Sequence, residues 1–87
     1  INKVIIMHMK DNLINFLYDK NYFISIYENY IYVFNYLELI SLSAQNITLK
    51  LENFQLEITG SNLFITKMLP NEILIKGNFQ KVGFNYE

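Results

Sequence analysis

Residues 47–59 read ITLKLENFQLEIT, and their period decides the fold class. Ile47, Leu49 and Leu51 fall on one side of an extended chain, with Thr48 and Lys50 on the other. Glu52-Asn53 interrupts the pattern, and Phe54, Leu56 and Ile58 resume it against Gln55, Glu57 and Thr59. Successive side chains of an extended chain point to opposite sides, so alternation at every second residue marks a strand with one buried face. Two such runs joined by a polar pair predict an antiparallel hairpin.

The same period continues toward the C-terminus. Gly60-Ser61-Asn62 predicts a turn, since Gly adopts positive φ without steric cost. LFITKM at 63–68 predicts another strand, and Leu69-Pro70-Asn71 a tight turn, because Pro fixes φ and carries no amide donor. EILIK at 72–76 then runs to Gly77, where the chain is expected to reverse. The final strand, FQKVGFNY at 79–86, alternates through Val82, Phe84 and Tyr86.

Toward the N-terminus, YFISIY at 22–27 and YIYVF at 30–34 flank Glu28-Asn29, the spacing of a hairpin with a two-residue turn. YLELISL at 36–42 reads as extended, although its leucines fit either period. Within YIYVFNY, Tyr30, Tyr32, Phe34 and Tyr36 line one strand face and Ile31 and Val33 the other. A strand apolar on both faces is buried twice over or presents its rings to a partner. Core packing is the plainer explanation; bases of a single-stranded nucleic acid stacked on the rings are the sharper one.

Residues 3–18 change to helical spacing, with Ile6, Met9, Leu13 and Phe16 or Leu17 on one stripe. Methionines on such a stripe fill a core more readily than they line a cofactor. The expected architecture is therefore mainly β and a single domain over residues 1–87. An N-terminal amphipathic helix over 1–20 precedes an antiparallel meander of short strands over 21–87, forming a curled sheet, small barrel or sandwich.

Composition narrows the function classes. A hydrophobic fraction of 52% is high for 87 residues, whose interior is small, so part of that surface is expected to be covered by a protein partner or a second copy. The absence of cysteine excludes disulfides and thiolate metal sites. All seven basic residues are Lys, scattered in a chain of net charge −1, which argues against a surface that tracks phosphates. The apolar run Val4–Met7 is cut off by His8, Lys10 and Asp11, far short of the ~20 residues a membrane span needs. No signal peptide is recognisable, so a soluble, non-secreted protein is expected, with membrane association only through a partner. The first residue is Ile rather than Met, which reads as a fragment or a start not shown.

No chemistry converges in the sequence. His8 is the only histidine; Asp11, three residues on, could share its helical face, a pairing common by chance. Glu28 and Glu52 fall at turns, Glu57 and Glu72 at polar strand positions, and no grouping suggests a divalent cation. Gly60, Gly77 and Gly83 are isolated, so no loop cradles a phosphate. No catalytic residue, metal or cofactor is expected.

The segment ITLKLENFQLEITGSNLFITKMLPNEILIKGNFQKVGFNYE, and with it much of the chain from Tyr22, resembles the YabP/YqfC family of bacterial sporulation proteins, its YqfC-like members most of all. The matching positions are Gly60, Leu69, Pro70, Glu72, Ile73, Leu74 and Gly77, in a hairpin, a Gly-containing turn, a Leu-Pro-x-Glu-Ile turn-strand and a last strand. The stretch YLELIS matches in spacing alone. The resemblance implies a non-enzymatic, cytoplasmic protein made in the mother cell during endospore formation, acting through protein contacts at or near the forespore surface. The matched positions then have a geometric job. A small β-barrel binding nucleic acid or another ligand is the alternative: Lys50, Lys67, Lys76 and Lys81 gathered on one face would favour it, and interspersion with Glu57 and Glu72 would count against it.

Overall fold

The computed structural model describes residues 22–86. The helix expected over residues 1–20, with His8, Asp11 and Asp19, lies outside the described residues. Six strands form one antiparallel sheet: β1 (Phe23–Ile26), β2 (Tyr30–Phe34), β3 (Glu38–Leu42), β4 (Asn46–Lys50), β5 (Phe54–Leu69) and β6 (Glu72–Tyr86). Their order across the sheet is β1-β2-β6-β5-β4-β3, and the sheet is not closed. The mainly β, antiparallel reading holds, and β3 to β6 follow one another as a meander. The departure is β2, which pairs with β6 rather than β3.

The strands are not all short. Gly60-Ser61-Asn62 was expected to turn the chain and Gly77 to reverse it, but β5 and β6 run straight through them for 16 and 15 residues. Register shifts at Thr59/Gly60, Ser61/Phe64 and Ile65/Lys67 mark irregularities that bend the long β5–β6 hairpin instead of ending it. Gly60 is needed for close approach, since a Cβ there would lie 2.0 Å from the Asn78 carbonyl oxygen. Gly77 has φ +143°, and a Cβ on it would fall 2.8 Å from the Asn62 carbonyl oxygen. Glycines chosen for bends look like glycines chosen for turns in a sequence, because both need the missing Cβ.

The irregularities divide each long strand between two partners. The first part of β5 pairs with β4 from Asn46↔Thr59 to Lys50↔Gln55. The first part of β6 pairs with β2 from Tyr30↔Lys76 to Phe34↔Glu72. Only three residues, 35–37, lead from β2 to β3, although three strands stand between them in the sheet. A flat sheet would separate them by about 19 Å at the usual strand spacing, whereas the connection reaches at most about 14 Å. The sheet must therefore curl.

The curl brings the inner faces of both halves onto one core of Ile31, Val33, Ile47, Leu49, Leu51, Phe54, Leu56, Ile58, Leu63, Ile73 and Ile75, with Tyr36 at its margin. The alternation read at 47–58 is the alternation observed, with those six apolar residues at most 1% exposed. The turns also hold where chemistry dictates them. Tyr27 N–H donates to the Tyr30 carbonyl across Glu28-Asn29, and Leu51 N–H to the Phe54 carbonyl across Glu52-Asn53, both at 2.9 Å. Pro70-Asn71 forms the two-residue turn between β5 and β6. The hairpin tips brace the bends: Gly60 and Leu63 donate to the carbonyls of Gln45 and Ala44, and Gly77 donates to that of Asn29.

Candidate functional site

Residues directly opposite in an antiparallel pair share a face, so register sorts the side chains. Ile31 and Val33 lie opposite Ile75 and Ile73 on the inner face. The outer face of that half then holds Phe23 and Ser25 from β1, Tyr30, Tyr32 and Phe34 from β2, Glu72, Leu74 and Lys76 from β6, and Phe64, Lys67 and Leu69 from β5. Tyr27 and Tyr30 stack at 4.4 Å between ring centroids across the hairpin tip, and Phe23 meets Tyr32 at 6.3 Å. Tyr27 and Phe64 are each about half exposed. Rings and aliphatic side chains thus make this sheet face largely apolar, with lysines and Glu72 among them.

Three of the four rings read from the sequence, Tyr30, Tyr32 and Phe34, do share this face. Tyr36 does not. Asn35 has φ 63°, in the left-handed region, which ends the alternation one residue early. Its amide donates to the Asn71 carbonyl, and Tyr36 turns inward to 6% exposure, its hydroxyl donating to the Leu69 carbonyl at 2.8 Å. Phe23, Tyr27, Phe64 and Leu74 complete the face. The alternation of YFISIY carried the signal for Phe23 and Tyr27; Phe64 becomes visible only once the bend in β5 sets its register.

The two groups of residues singled out in the sequence meet here. The Tyr32 hydroxyl donates to Glu72 Oε1 at 2.6 Å, and Leu69, Glu72 and Leu74 stand on the same face as the rings. Burial, then the hydrogen bond to Glu72 and its negative charge, push the Tyr32 phenol up to about 12. Ile73 and Ile75 are fully buried and anchor the motif strand beneath. Pro70 and Asn71 form the exposed turn, and Gly60 and Gly77 the bends.

The outer face of the other half is polar. It carries Glu38, Ser41, Thr48, Lys50, Gln55, Glu57, Thr59, Lys81 and Asn85. Lys50 stands opposite Glu38, and Glu57 opposite Thr48. The four lysines thus divide two and two between faces: Lys50 and Lys81 with Glu38 and Glu57, Lys67 and Lys76 with Glu72. That arrangement makes no continuous cation track of the kind a polyphosphate backbone requires. Among the described residues no three His, Cys, Asp or Glu side chains gather to hold a metal ion. No helix among them is long and apolar enough to cross a membrane.

The model of the YabP family matches residues 24–87, which takes in all of the sheet except Phe23. No curated protein and no solved structure matches the chain.

Proposed function

The chain belongs to the YabP family, and on that premise we propose that it is a sporulation protein that works by protein contact, in the mother cell and at or near the forespore surface. The observation that carries the reading is the outer face of β1, β2 and the adjoining parts of β5 and β6. Rings from three strands lie exposed or half-exposed on one side of the sheet, where the Tyr32 hydroxyl is bonded to Glu72. Aromatic side chains give much contact area at small entropic cost, so such a patch suits a protein partner. The YabP family is not known for enzymes, and the one carboxylate of this face, Glu72, is tied to the Tyr32 hydroxyl.

Replacing Tyr27, Tyr30 and Phe64 together by Ser removes the two half-exposed rings of the patch and the ring stacked on Tyr27 without touching the inner core. In a spore-forming host, this variant should accumulate as a folded protein but fail to restore heat-resistant spore formation to a strain lacking the gene. A fluorescent fusion should lose its position at the forespore. Full sporulation by a folded variant would overturn the reading. Salt-sensitive binding of single-stranded oligonucleotides by the wild type, lost in the variant, would replace it with the nucleic-acid alternative.

A further inference from the structure

A second apolar strip lies on the inner face of the sheet, on the opposite side from the rings just described. Phe84 stands across from the fully buried Leu56, and Tyr86 across from Phe54. Their register therefore points them to the core, yet Phe84 is 45% and Tyr86 71% exposed, with Val82 half-buried beside them. In its last part β6 pairs only with β5, so one edge carries no strand among the described residues. Among the described residues nothing covers the core there.

The chain enters the fold at this opening. Tyr22 meets the Phe54 ring edge-on at 5.3 Å, and the same ring is touched by Phe84 and Tyr86, each at 5.3 Å. Whatever precedes Tyr22 is therefore tethered beside the strip. The sequence there places Ile6, Met9, Leu13 and Phe16 or Leu17 at helical spacing. A helix over 3–18 would be about 24 Å long, enough to cover Val82–Tyr86, which extends about 14 Å. The intervening Asp19-Lys20-Asn21 can reach about 10 Å, sufficient to fold the segment back. A tethered segment also competes for the strip at an effective concentration in the millimolar range.

We propose that residues 3–18 of the same chain dock their apolar stripe on the Val82–Phe84–Tyr86 strip and close the open side of the core. This assignment does not depend on the reading of the aromatic outer face. It leaves that outer face as the surface open to a partner.

The chain has no cysteine, so engineered pairs give an unambiguous test in the full-length protein. Leu13→Cys with Phe84→Cys should form an intramolecular disulfide about tenfold or more faster than Leu13→Cys with Phe64→Cys, whose second position lies on the opposite face. Equal rates for the two pairs would overturn the proposal. A 13–84 crosslink that joins two chains and disappears on dilution would overturn it in favour of a second copy's segment. Amide exchange keeps the test open if a cysteine variant folds poorly. Leu13→Asp should speed exchange at residues 82–86 about tenfold or more while leaving the β2–β6 pairing protected; unchanged exchange at 82–86 would sink the docking.

Discussion

The Tyr32 hydroxyl lies 2.6 Å from Glu72 Oε1, joining β2 to the first residue of β6. Tyr32 stands opposite Leu74 in the ladder, and Glu72 opposite Phe34, so the bond runs diagonally across the face. It ties the Leu-Pro-x-Glu-Ile turn-strand to the aromatic hairpin. A second bond, from the Tyr36 hydroxyl to the Leu69 carbonyl, fastens the other side of the same turn. The two tyrosines hold one turn from two faces.

Burial, and then the first bond and the Glu72 charge, make Tyr32 a marked phenol. Its folded-state value of about 12 lies above the ordinary tyrosine value of 10.0, so the folded protein holds this proton more tightly than the unfolded chain. Its contribution to stability is fully present below about pH 10 and is lost as pH rises through about 12. An absorbance titration of wild type minus Tyr32→Phe should show one phenol ionising near the upper value. A difference midpoint at the ordinary value would show that Tyr32 is neither buried nor bonded to Glu72 as described. Unfolding of the two proteins should converge as pH rises across that window.

The bend at Gly60 predicts a sharp contrast among glycines. A Cβ at Gly60 meets backbone, the Asn78 oxygen at 2.0 Å, whereas a Cβ at Gly83 meets nothing within 4 Å. Backbone cannot swing aside as a side chain can. Gly60→Ala should therefore destabilise by about 3 kcal/mol or more, and Gly83→Ala should change stability by about 0.5 kcal/mol at most. Equal denaturation midpoints for the two variants would mean that β5 does not cross β6 as closely as described.

Local alternation was legible and long-range continuity was not. Ile47 to Ile58 could be assigned to a face because each residue's side depends on its neighbours alone. Gly60 and Gly77 misled because a glycine in a bend and a glycine in a turn answer the same steric demand. Nothing local distinguishes two short strands from one long bent strand; the distinction lies in the pairing of β6 with both β5 and β2. The shared face of the rings was legible at Tyr30, Tyr32 and Phe34, where the period is unbroken, and lost at Tyr36, where one backbone dihedral intervenes. Phe64 could not be placed until register was known.

Leu56 tests the shared core. It is fully buried and faces the union of both halves of the curled sheet. Leu56→Ala should cost about 2–5 kcal/mol and should loosen the β2–β6 ladder together with β4–β5, because one core supports both. Amide exchange that rises in β4 and β5 while β2 and β6 stay protected would instead indicate two independently stable halves.

Asn35 is the switch that turns Tyr36 from the outer face to the core. Its φ of 63° is tolerable for Asn and free of strain for Gly, but a β-branched side chain there collides with its own backbone. Asn35→Gly should keep stability within about 1 kcal/mol of wild type. Asn35→Val should lose about 1–2 kcal/mol from the dihedral alone. It should also disturb the Tyr36–Leu69 bond, whose separate loss in Tyr36→Phe is worth about 1 kcal/mol. If the Val variant simply flips to extended backbone, Tyr36 joins the ring face and residues 35–37 no longer turn from β2 toward β3. The measurable sign is a drop in denaturation midpoint for Val larger than that for Tyr36→Phe, with Gly near wild type. A Val variant as stable as wild type would show that the three-residue connection does not need the left-handed residue, and with it the account of the early end of β2 would fall.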